Sequence, residues 1–146
     1  MEVNLSYREI EVGTAEYEEA LRLREAVLRG PLGLTLTTEE LADEANCWHL
    51  AGFAGSELRA ILLLKPIDPA TVKMRQVAVD PELQGRGIGA QLIAFAEEFA
   101  RQKGCRKVYA HARATALGFY RKIGYVVEGE EFLETTIPHR LVTKGL

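Results

Sequence analysis

The fold is decided by one stretch of the sequence, Met74-Arg75-Gln76-Val77-Ala78-Val79-Asp80-Pro81-Glu82-Leu83-Gln84-Gly85-Arg86-Gly87-Ile88-Gly89-Ala90. Val77 and Val79 predict a β-strand, and Pro81 ends it because proline cannot donate to a sheet ladder. From Ile88 the apolar residues recur at helical spacing, which predicts a helix over residues 88–103. The stretch therefore predicts a strand, a short turn and the opening of a helix.

The start of that helix has no residue suited to cap it. The first backbone N–H groups of a helix lack partners inside it, and Ser, Thr, Asp or Asn usually accepts from some of them. None of these residues lies between Leu83 and Ala90, where glycines alternate instead, at Gly85, Gly87 and Gly89. Bare donors at the positive end of a helix dipole predict a site for a phosphate-sized anion, beside the charge of Arg86. The alternative is a flexible turn with hydrated amides.

This turn resembles a signature of the GNAT superfamily of N-acetyltransferases. That signature is Gln or Arg, two variable residues, Gly, one variable residue, and Gly or Ala, and Gln84, Gly87 and Gly89 stand at its defined positions. The resemblance implies that the turn binds the pyrophosphate of acetyl-coenzyme A. It also implies coenzyme contacts from the adjoining strand and helix, so that the implied set is Val77, Ala78, Val79, Gln84, Gly85, Arg86, Gly87, Ile88, Gly89 and Ala90.

A second stretch, residues 114–125, predicts a short helix that Gly124 ends in the left-handed conformation. It resembles a second GNAT signature, in which an alanine precedes a Phe-Tyr pair and a later glycine, here Ala116, Phe119, Tyr120 and Gly124. The resemblance implies that Ala116, Phe119 and Tyr120 contact the coenzyme. It further implies that Tyr120 lies near the coenzyme sulfur and acts as general acid. Spacing alone favours a core aromatic residue at Tyr120, with its hydroxyl at the surface, and the signature reverses that preference.

The general base is left unassigned by the sequence. An acceptor ammonium of pKa ~10 must lose a proton before it attacks a thioester. Many GNAT proteins use a glutamate on or near the fourth strand, but residues 74–79 contain none. The candidates are histidine and glutamate side chains further along the chain, although such residues are more often structural or solvated: His111, Glu130, Glu131, Glu134 and His139. The stretch 130–139 also resembles the small bacterial ElaA-like branch of the superfamily.

The remaining pattern predicts a mixed α/β fold in one domain over residues 1–146, with a mostly antiparallel sheet and flanking helices. Helices are expected from Thr14 to about residue 29 and after Thr38, the latter with Leu41 and Ala45 facing inward. Strands are expected over 3–12, 47–54, 57–65, 71–79, 106–113 and about 139–144, with a loop over 66–70. The strand–helix–strand unit predicts one parallel pair. The GNAT resemblance implies that this pair splays apart and admits the pantetheine arm.

The overall composition does not favour a nucleic-acid or membrane partner, although local basic patches are left open. The 146 residues are 47% apolar and 27% charged, with a formal charge of -3 and a pI near 5.7. An acidic balance gives no case for binding nucleic acid or an anionic membrane. No signal peptide or membrane span is evident, so a cytoplasmic location is expected. Cys47 and Cys105 lack metal-ligand spacing and an activating neighbour, so neither a metal site nor a covalent enzyme intermediate is expected.

Together with the GNAT resemblance, these features predict acetyl transfer from acetyl-CoA to a primary amine of a small molecule or peptide, directly in a ternary complex. The acceptor, the preferred acyl length and a homodimeric state are left open. A rival of another class is an inactive acyl-CoA-binding sensor or interaction module, since the expected strand glutamate is missing. A dinucleotide fold would suit Gly85, Gly87 and Ala90, but Cys105 and Arg106 stand where its acidic residue belongs.

Overall fold

The computed structural model describes residues 4–29 and 42–146. The elements follow one another as β1 Ser6–Ile10, α1 Ala15–Arg24 with a π-helical turn Glu25–Arg29, a 3₁₀ turn Asp43–Asn46, β2 Trp48–Ala54, β3 Glu57–Asp68, β4 Thr71–Val79, a 3₁₀ turn Pro81–Leu83, α2 Ile88–Gln102, β5 Lys107–Arg113, a 3₁₀ turn Ala114–Ala116, α3 Leu117–Lys122, β6 Val126–Glu134 and β7 Ile137–Gly145. Among the described residues, no helix combines the length and apolarity needed to cross a membrane.

The described strands form one sheet in the order β1-β2-β3-β4-β5-β7-β6. Neighbours pair antiparallel throughout, except that β4 and β5 run parallel because α2 carries the chain back across the sheet. The predicted mixed α/β fold with a mostly antiparallel sheet is therefore confirmed.

The parallel pair separates part-way along its length. β4 pairs with β5 only from Thr71–Met74 against residues 107–110, and the ladder stops there. Just beyond, Gln76 has a φ of 55°, and the register of β4 against β3 shifts at the same place. A residue in this conformation inside a strand marks a β-bulge, which bends β4 away from its neighbour. The predicted splay is confirmed, and on this side residues 75–79 keep an edge that pairs with none of the described strands.

The two faces of the sheet are covered by different helices. α2 buries one apolar face against alternate residues of the central strands, and its buried positions are Ile88, Leu92, Ile93, Ala96 and Ala100. On the opposite face, Ala20 of α1 packs near Ile61, Leu63 and Ala78. The hydroxyl of Thr14 accepts from the N–H of Tyr17 at 3.3 Å, which confirms the predicted cap of α1.

The predicted loop over residues 66–70 is wrong, because β3 continues to Asp68. Pro66 pairs with Val72 of β4, whereas the pairing of β3 with β2 ends at Leu64. Proline is tolerated at this place because one edge of β3 has no partner there among the described strands. The turn is only two residues long, and the carboxylate of Asp68 accepts from the N–H of Ala70 at 2.8 Å.

Two further predictions need correction. Residues 126–134 were not predicted as a strand, yet they form β6 and pair with β7 through a tight turn at Thr135 and Thr136, whose φ values are 51° and 61°. Most of β6 is exposed on both faces, so it lacks the alternation that identifies a strand. In the segment after Thr38, Leu41 lies outside the described residues, whereas Ala45 is exposed and not inward.

Candidate functional site

The turn before α2 is open, as the absence of a capping residue predicts. Gly87 occupies the cap position with a φ of 79°, and no side chain accepts from the first turn of α2. Gly85 has a φ of 80°, and a methyl group placed on either glycine would meet no atom within 4 Å. Both backbones need glycine because other L-residues rarely adopt this conformation. Among the described residues, the space in front of Gly85 and Gly87 is therefore open.

Side-chain hydrogen bonds fix the position of the turn, and its outer surface stays exposed. Asp80 accepts from the backbone N–H of Glu82 at 2.9 Å and from the guanidinium of Arg59 at 2.7 Å. These contacts, the backbone N–H first, lower the pKa of Asp80 below its usual value. Gln84 donates to the carbonyl of Val79 at 3.1 Å, which fastens the turn to the end of β4. Arg86 stays exposed.

A cavity of about 850 Å³ lies where β4 and β5 separate. The cavity is lined by seven of the residues implied as coenzyme contacts: Val77, Val79, Gln84, Gly89, Ala116, Phe119 and Tyr120. Ala78 and Ile88 do not contribute side chains, because each is almost fully buried in a different part of the core. Only their backbones are available to a ligand. Gly85, Arg86 and Gly87 form the exposed corner next to the cavity, and Ala90 is half-buried in the following turn.

Tyr120 lies on the wall of this cavity with 8% of its surface exposed. Its ring packs edge-on against Phe119 and Tyr125, with centroids 5.2 Å and 5.4 Å away. Burial raises the pKa of Tyr120 to about 12, because the phenolate would be poorly solvated. The hydroxyl therefore keeps its proton across the neutral range and is a donor to whatever enters the cavity.

A buried polar network fixes the elements around Tyr120. Tyr125 donates its hydroxyl to Glu97 of α2 at 2.9 Å, and Lys144 of β7 donates to the other carboxylate oxygen at 3.1 Å. Lys144 also donates to the carbonyl of Ile123 at 2.9 Å. The chain then turns at Gly124, whose φ of 98° confirms the predicted left-handed end of α3. α2, α3 and β7 are thus tied together directly behind Tyr120.

Three of the candidate bases lie together on the far side of the cavity. His111 Nδ1 is 3.2 Å from Glu134 Oε1, and His139 Nε2 is 3.6 Å from Glu134 Oε2. Phe132 packs between the two imidazoles, at 5.0 Å and 6.1 Å between ring centroids. We call these side chains the His–Glu–His cluster: His111, Glu134 and His139. The other two candidates, Glu130 and Glu131, are exposed on β6 and do not line the cavity.

The hydrogen bonds assign a tautomer to each histidine of the cluster. A carboxylate and a carbonyl can only accept, so the ring nitrogen that faces either one must carry the hydrogen. His111 therefore donates from Nδ1 to Glu134, and the neutral ring keeps a lone pair on Nε2. His139 donates from Nδ1 to the carbonyl of Ile137 at 2.7 Å, whereas its Nε2, 3.6 Å from Glu134, is beyond hydrogen-bond distance. His139 is nearly buried, whereas the His111 side chain is 29% exposed and the more accessible base.

Two cations of β4 also line the cavity, and the sequence prediction did not include them. Lys73 and Arg75 alternate with the core residues Val72 and Met74, so their side chains leave the sheet on the opposite face. The alternation of β4 is visible in the sequence and is the signal that could have found them. The alternation alone does not place Lys73 and Arg75 in a site. Their position in the cavity depends on the splay of β4 and β5, because a continuous sheet would leave no cavity there.

Within residues 4–29 and 42–146, no three His, Cys, Asp or Glu side chains are grouped so that they could hold a metal ion. Cys47 and Cys105 are buried free thiols. Burial raises the pKa of both thiols, which disfavours the reactive thiolate. The polar chemistry of the cavity is therefore carried by tyrosine, histidine, carboxylate, lysine and arginine side chains.

Comparison with known proteins identifies the family to which this arrangement belongs. The acetyltransferase (GNAT) family matches residues 10–125, from the end of β1 to the residue before β6. This chain belongs to the GNAT family of acetyltransferases. The resemblance seen in residues 84–89 and 116–125 is confirmed, because both stretches lie inside the matched range.

Curated relatives of this GNAT protein match over part of their length. YyaT of Bacillus subtilis, an uncharacterized protein, is 34% identical over 76 residues, which are 52% of this chain and 51% of YyaT. A second Bacillus subtilis relative is covered to 50%. The chain spans about half the length of these curated relatives.

Solved structures share the GNAT fold over nearly the whole chain. A candidate N-acetyltransferase from Lactobacillus plantarum has a TM-score of 0.85 and 26% identity, with 97% of this chain and 99% of that chain covered. Escherichia coli ElaA has a TM-score of 0.82 and 21% identity over the same shares of the two chains. A GNAT acetyltransferase from Elizabethkingia anophelis, solved with acetyl-CoA bound, has a TM-score of 0.75 and 20% identity, with 98% and 99% covered.

Proposed function

We propose that this GNAT protein transfers an acetyl group from acetyl-CoA to a primary amine of a small molecule or peptide. The transfer is direct, within a ternary complex of protein, coenzyme and acceptor. One observation carries the proposal: a single cavity reaches from the open glycine turn, past Tyr120, to His111 and Glu134. An anion site, a protonated phenol and a histidine with a free lone pair are the three groups that such a transfer requires.

The residues around the cavity fit coenzyme A. The turn at Gly85 and Gly87 offers unobstructed N–H groups at the positive end of α2, where a diphosphate is stabilised. Residues 75–79 offer the edge that β4 shows to the splay, and the amides of a pantetheine arm can pair with such an edge as a short strand does. The acetyl-CoA bound in the Elizabethkingia anophelis protein supports the same use of this fold.

The acceptor side supplies a route for the proton of the amine. His111 Nε2 takes a proton from the acceptor ammonium, and Glu134 stabilises the imidazolium because its carboxylate accepts from Nδ1. The amine nitrogen then forms a bond to the acetyl carbon. Backbone N–H groups near Val77 and Val79 stabilise the oxyanion, a contribution of about 3 kcal/mol in comparable sites. The glutamate that strand β4 lacks is replaced by a cluster from β5, β6 and β7.

Loss of the coenzyme thiolate completes the reaction. The carbon–sulfur bond breaks as the carbon–nitrogen bond is retained, and the nitrogen releases its second proton to solvent. The products are an acetamide and coenzyme A. Tyr120 donates a hydrogen bond to the departing sulfur and supplies its proton, with solvent restoring the phenol. Because its pKa is about 12, Tyr120 is fully protonated when each cycle begins.

Binding and turnover are tested in two steps. Calorimetric titration with acetyl-CoA and coenzyme A measures binding, and release of free thiol across a panel of amino acids, amino sugars, polyamines and peptides measures transfer. We expect binding of both ligands and amine-dependent thiol release. Glu134→Gln should lower turnover, whereas the matched control Glu131→Gln, on the same strand but outside the cavity, should not. Binding of acetyl-CoA without thiol release on any amine would instead favour the inactive binding module.

A further inference from the structure

The acceptor end of the cavity is lined by one carboxylate, Glu134, and by cations, of which two belong to β4 and one, Arg113, to β5. His111 and Glu134 lie on one side of the splay, and Lys73 and Arg75 lie on the other, on β4. Lys73 pairs with Tyr109 in the β4–β5 ladder. The ring of Tyr109 in turn lies near the imidazole of His111 on the same strand, with 6.2 Å between the ring centroids. A molecule bound in the cavity would therefore meet both sets of side chains.

The cations on and beside β4 outnumber the described carboxylates that act on them: Lys65, Lys73 and Arg75 share Asp43 and Glu134. Asp43 Oδ2 is 2.7 Å from Lys65 and 3.5 Å from Arg75, so one carboxylate serves two cations. Among the described side chains, no carboxylate lies within ion-pair distance of Lys73. Burial lowers the pKa of Lys73 and the charges of Arg75 and Lys65 lower it further, whereas the charge of Glu134 acts to raise it. Like charges held together in a partly desolvated cavity favour the binding of an anion between them.

Resting on the proposed function, we infer that the acceptor amine also carries an anionic group, a carboxylate or a phosphate, bound by Lys73 and Arg75. Its ammonium end faces Glu134 and His111, where the proton is removed. Arg75 can hold either anion through two parallel N–H donors, and Lys73 adds a point charge. The same pair of cations disfavours polyamines, because a second ammonium would lie against Lys73 and Arg75.

Matched acceptor pairs test this inference without requiring turnover. The protein is saturated with coenzyme A, which has no acetyl group to give, and amines are titrated by calorimetry. O-phosphoethanolamine is compared with ethanolamine, and β-alanine with its amide, so that each pair differs in the anion. We expect at least one anionic member to bind about tenfold or more tightly than its uncharged counterpart. The pair with the larger ratio of affinities identifies the preferred anion, phosphate or carboxylate.

Variants of the two cations attribute the effect to these side chains. Lys73→Gln and Arg75→Gln should each reduce the ratio of affinities between the anionic and the uncharged amine of a pair. Lys73→Met replaces Lys73→Gln if the latter does not fold. Lys107→Gln is the matched control, because Lys107 is an exposed lysine of β5 that does not line the cavity. The control should keep the full ratio. Coenzyme A binding by each variant shows that its fold and its glycine turn are intact.

The outcomes separate this inference from the proposed function. Equal binding within both pairs, or no binding of either anionic amine at millimolar concentration, overturns the inference. Tight binding of an anionic amine without thiol release in the acetyl-CoA assay supports the inference and contradicts the transferase activity. If coenzyme A itself does not bind, the proposed function fails. The same pairs are then titrated into the free protein, so that the charge preference is still decided.

Discussion

His111 Nδ1 lies 3.2 Å from Glu134 Oε1, although the two residues are 23 positions apart and belong to different strands. The contact exists because β7 lies between β5 and β6 in the sheet and pairs with both. It orients the imidazole so that Nε2 is free to accept a proton. The base of this GNAT protein is thereby proposed on β5, with its carboxylate partner at the end of β6.

Replacing His111 with Asn should lower kcat by about 10² to 10⁴, the usual contribution of a general base. Glu134→Gln should have a smaller effect, because the amide oxygen can still accept from His111 Nδ1 while the charge is lost. Steady-state kinetics on an identified acceptor measure both changes. Glu131→Gln is the control, since Glu131 does not line the cavity, and it should keep the turnover of the unsubstituted protein. Unchanged turnover in His111→Asn would remove it from the mechanism.

Replacing Tyr120 with Phe should lower kcat by about 10²-fold or more while coenzyme A binding changes little. The ring contacts with Phe119 and Tyr125 survive the substitution, since only the hydroxyl is removed. Kinetics and calorimetry on the same preparation separate the two effects. Because the pKa of Tyr120 is about 12, loss of its proton should not reduce the rate of the unsubstituted protein below about pH 10. An unchanged kcat in Tyr120→Phe would exclude the acid role.

Alanine at Gly87 and at Gly89 should have opposite effects on stability. Gly87→Ala forces a side chain into a backbone with φ 79°, so the free energy of unfolding should fall by about 1–2 kcal/mol. Gly89 has helical geometry, and a methyl group there would stand 3.6 Å from Phe119, an ordinary contact. Gly89→Ala should therefore leave stability unchanged or slightly higher. Urea unfolding measures both, and equal losses would contradict the assigned conformations.

The buried pair of Arg24 and Glu44 should be important for stability. Arg24 donates to both carboxylate oxygens at 2.7 Å and 2.6 Å, and Tyr17 donates to the same carboxylate at 2.9 Å. Arg24→Met would leave Glu44 buried without its partner and should cost about 3–5 kcal/mol. The double variant Arg24→Met/Glu44→Leu should recover much of that loss. Denaturant unfolding measures the free energy of unfolding of the unsubstituted protein and of both variants. A double variant as unstable as Arg24→Met would contradict this prediction.

The same pair predicts a direction for the pH dependence of stability. Burial acts to raise the pKa of Glu44, but the hydrogen bonds and charge of Arg24 outweigh it and the pKa lies below its usual value. The unfolded chain therefore binds a proton at Glu44 more readily than the folded one does. The stability that ionised Glu44 contributes is fully present above the usual glutamate pKa. It is lost as the pH falls through the pKa of Glu44 in the folded protein. Arg24→Met should remove that loss, which unfolding measurements across acidic pH would show.

The coenzyme side of the cavity could be predicted from the sequence because its determinants are local. A cap is absent over residues 83–90, glycine supplies the positive φ, and both features can be recognised without knowing what lies nearby. The acceptor side depends on long-range pairing. β6 was missed since its exposed glutamates show no alternation, and Glu134 meets His111 only because β7 pairs with both neighbours. Lys73 and Arg75 likewise depend on the splay.

Calorimetric titration of coenzyme A is the most direct test of the central claim, that bare backbone donors at residues 84–90 receive the diphosphate. The unsubstituted protein should bind with micromolar affinity. Gly87→Ala, with a methyl group at the open corner, should bind about tenfold or more weakly. Lys107→Gln should bind as the unsubstituted protein does. No binding at millimolar coenzyme A, or equal affinity in Gly87→Ala, would contradict the claim.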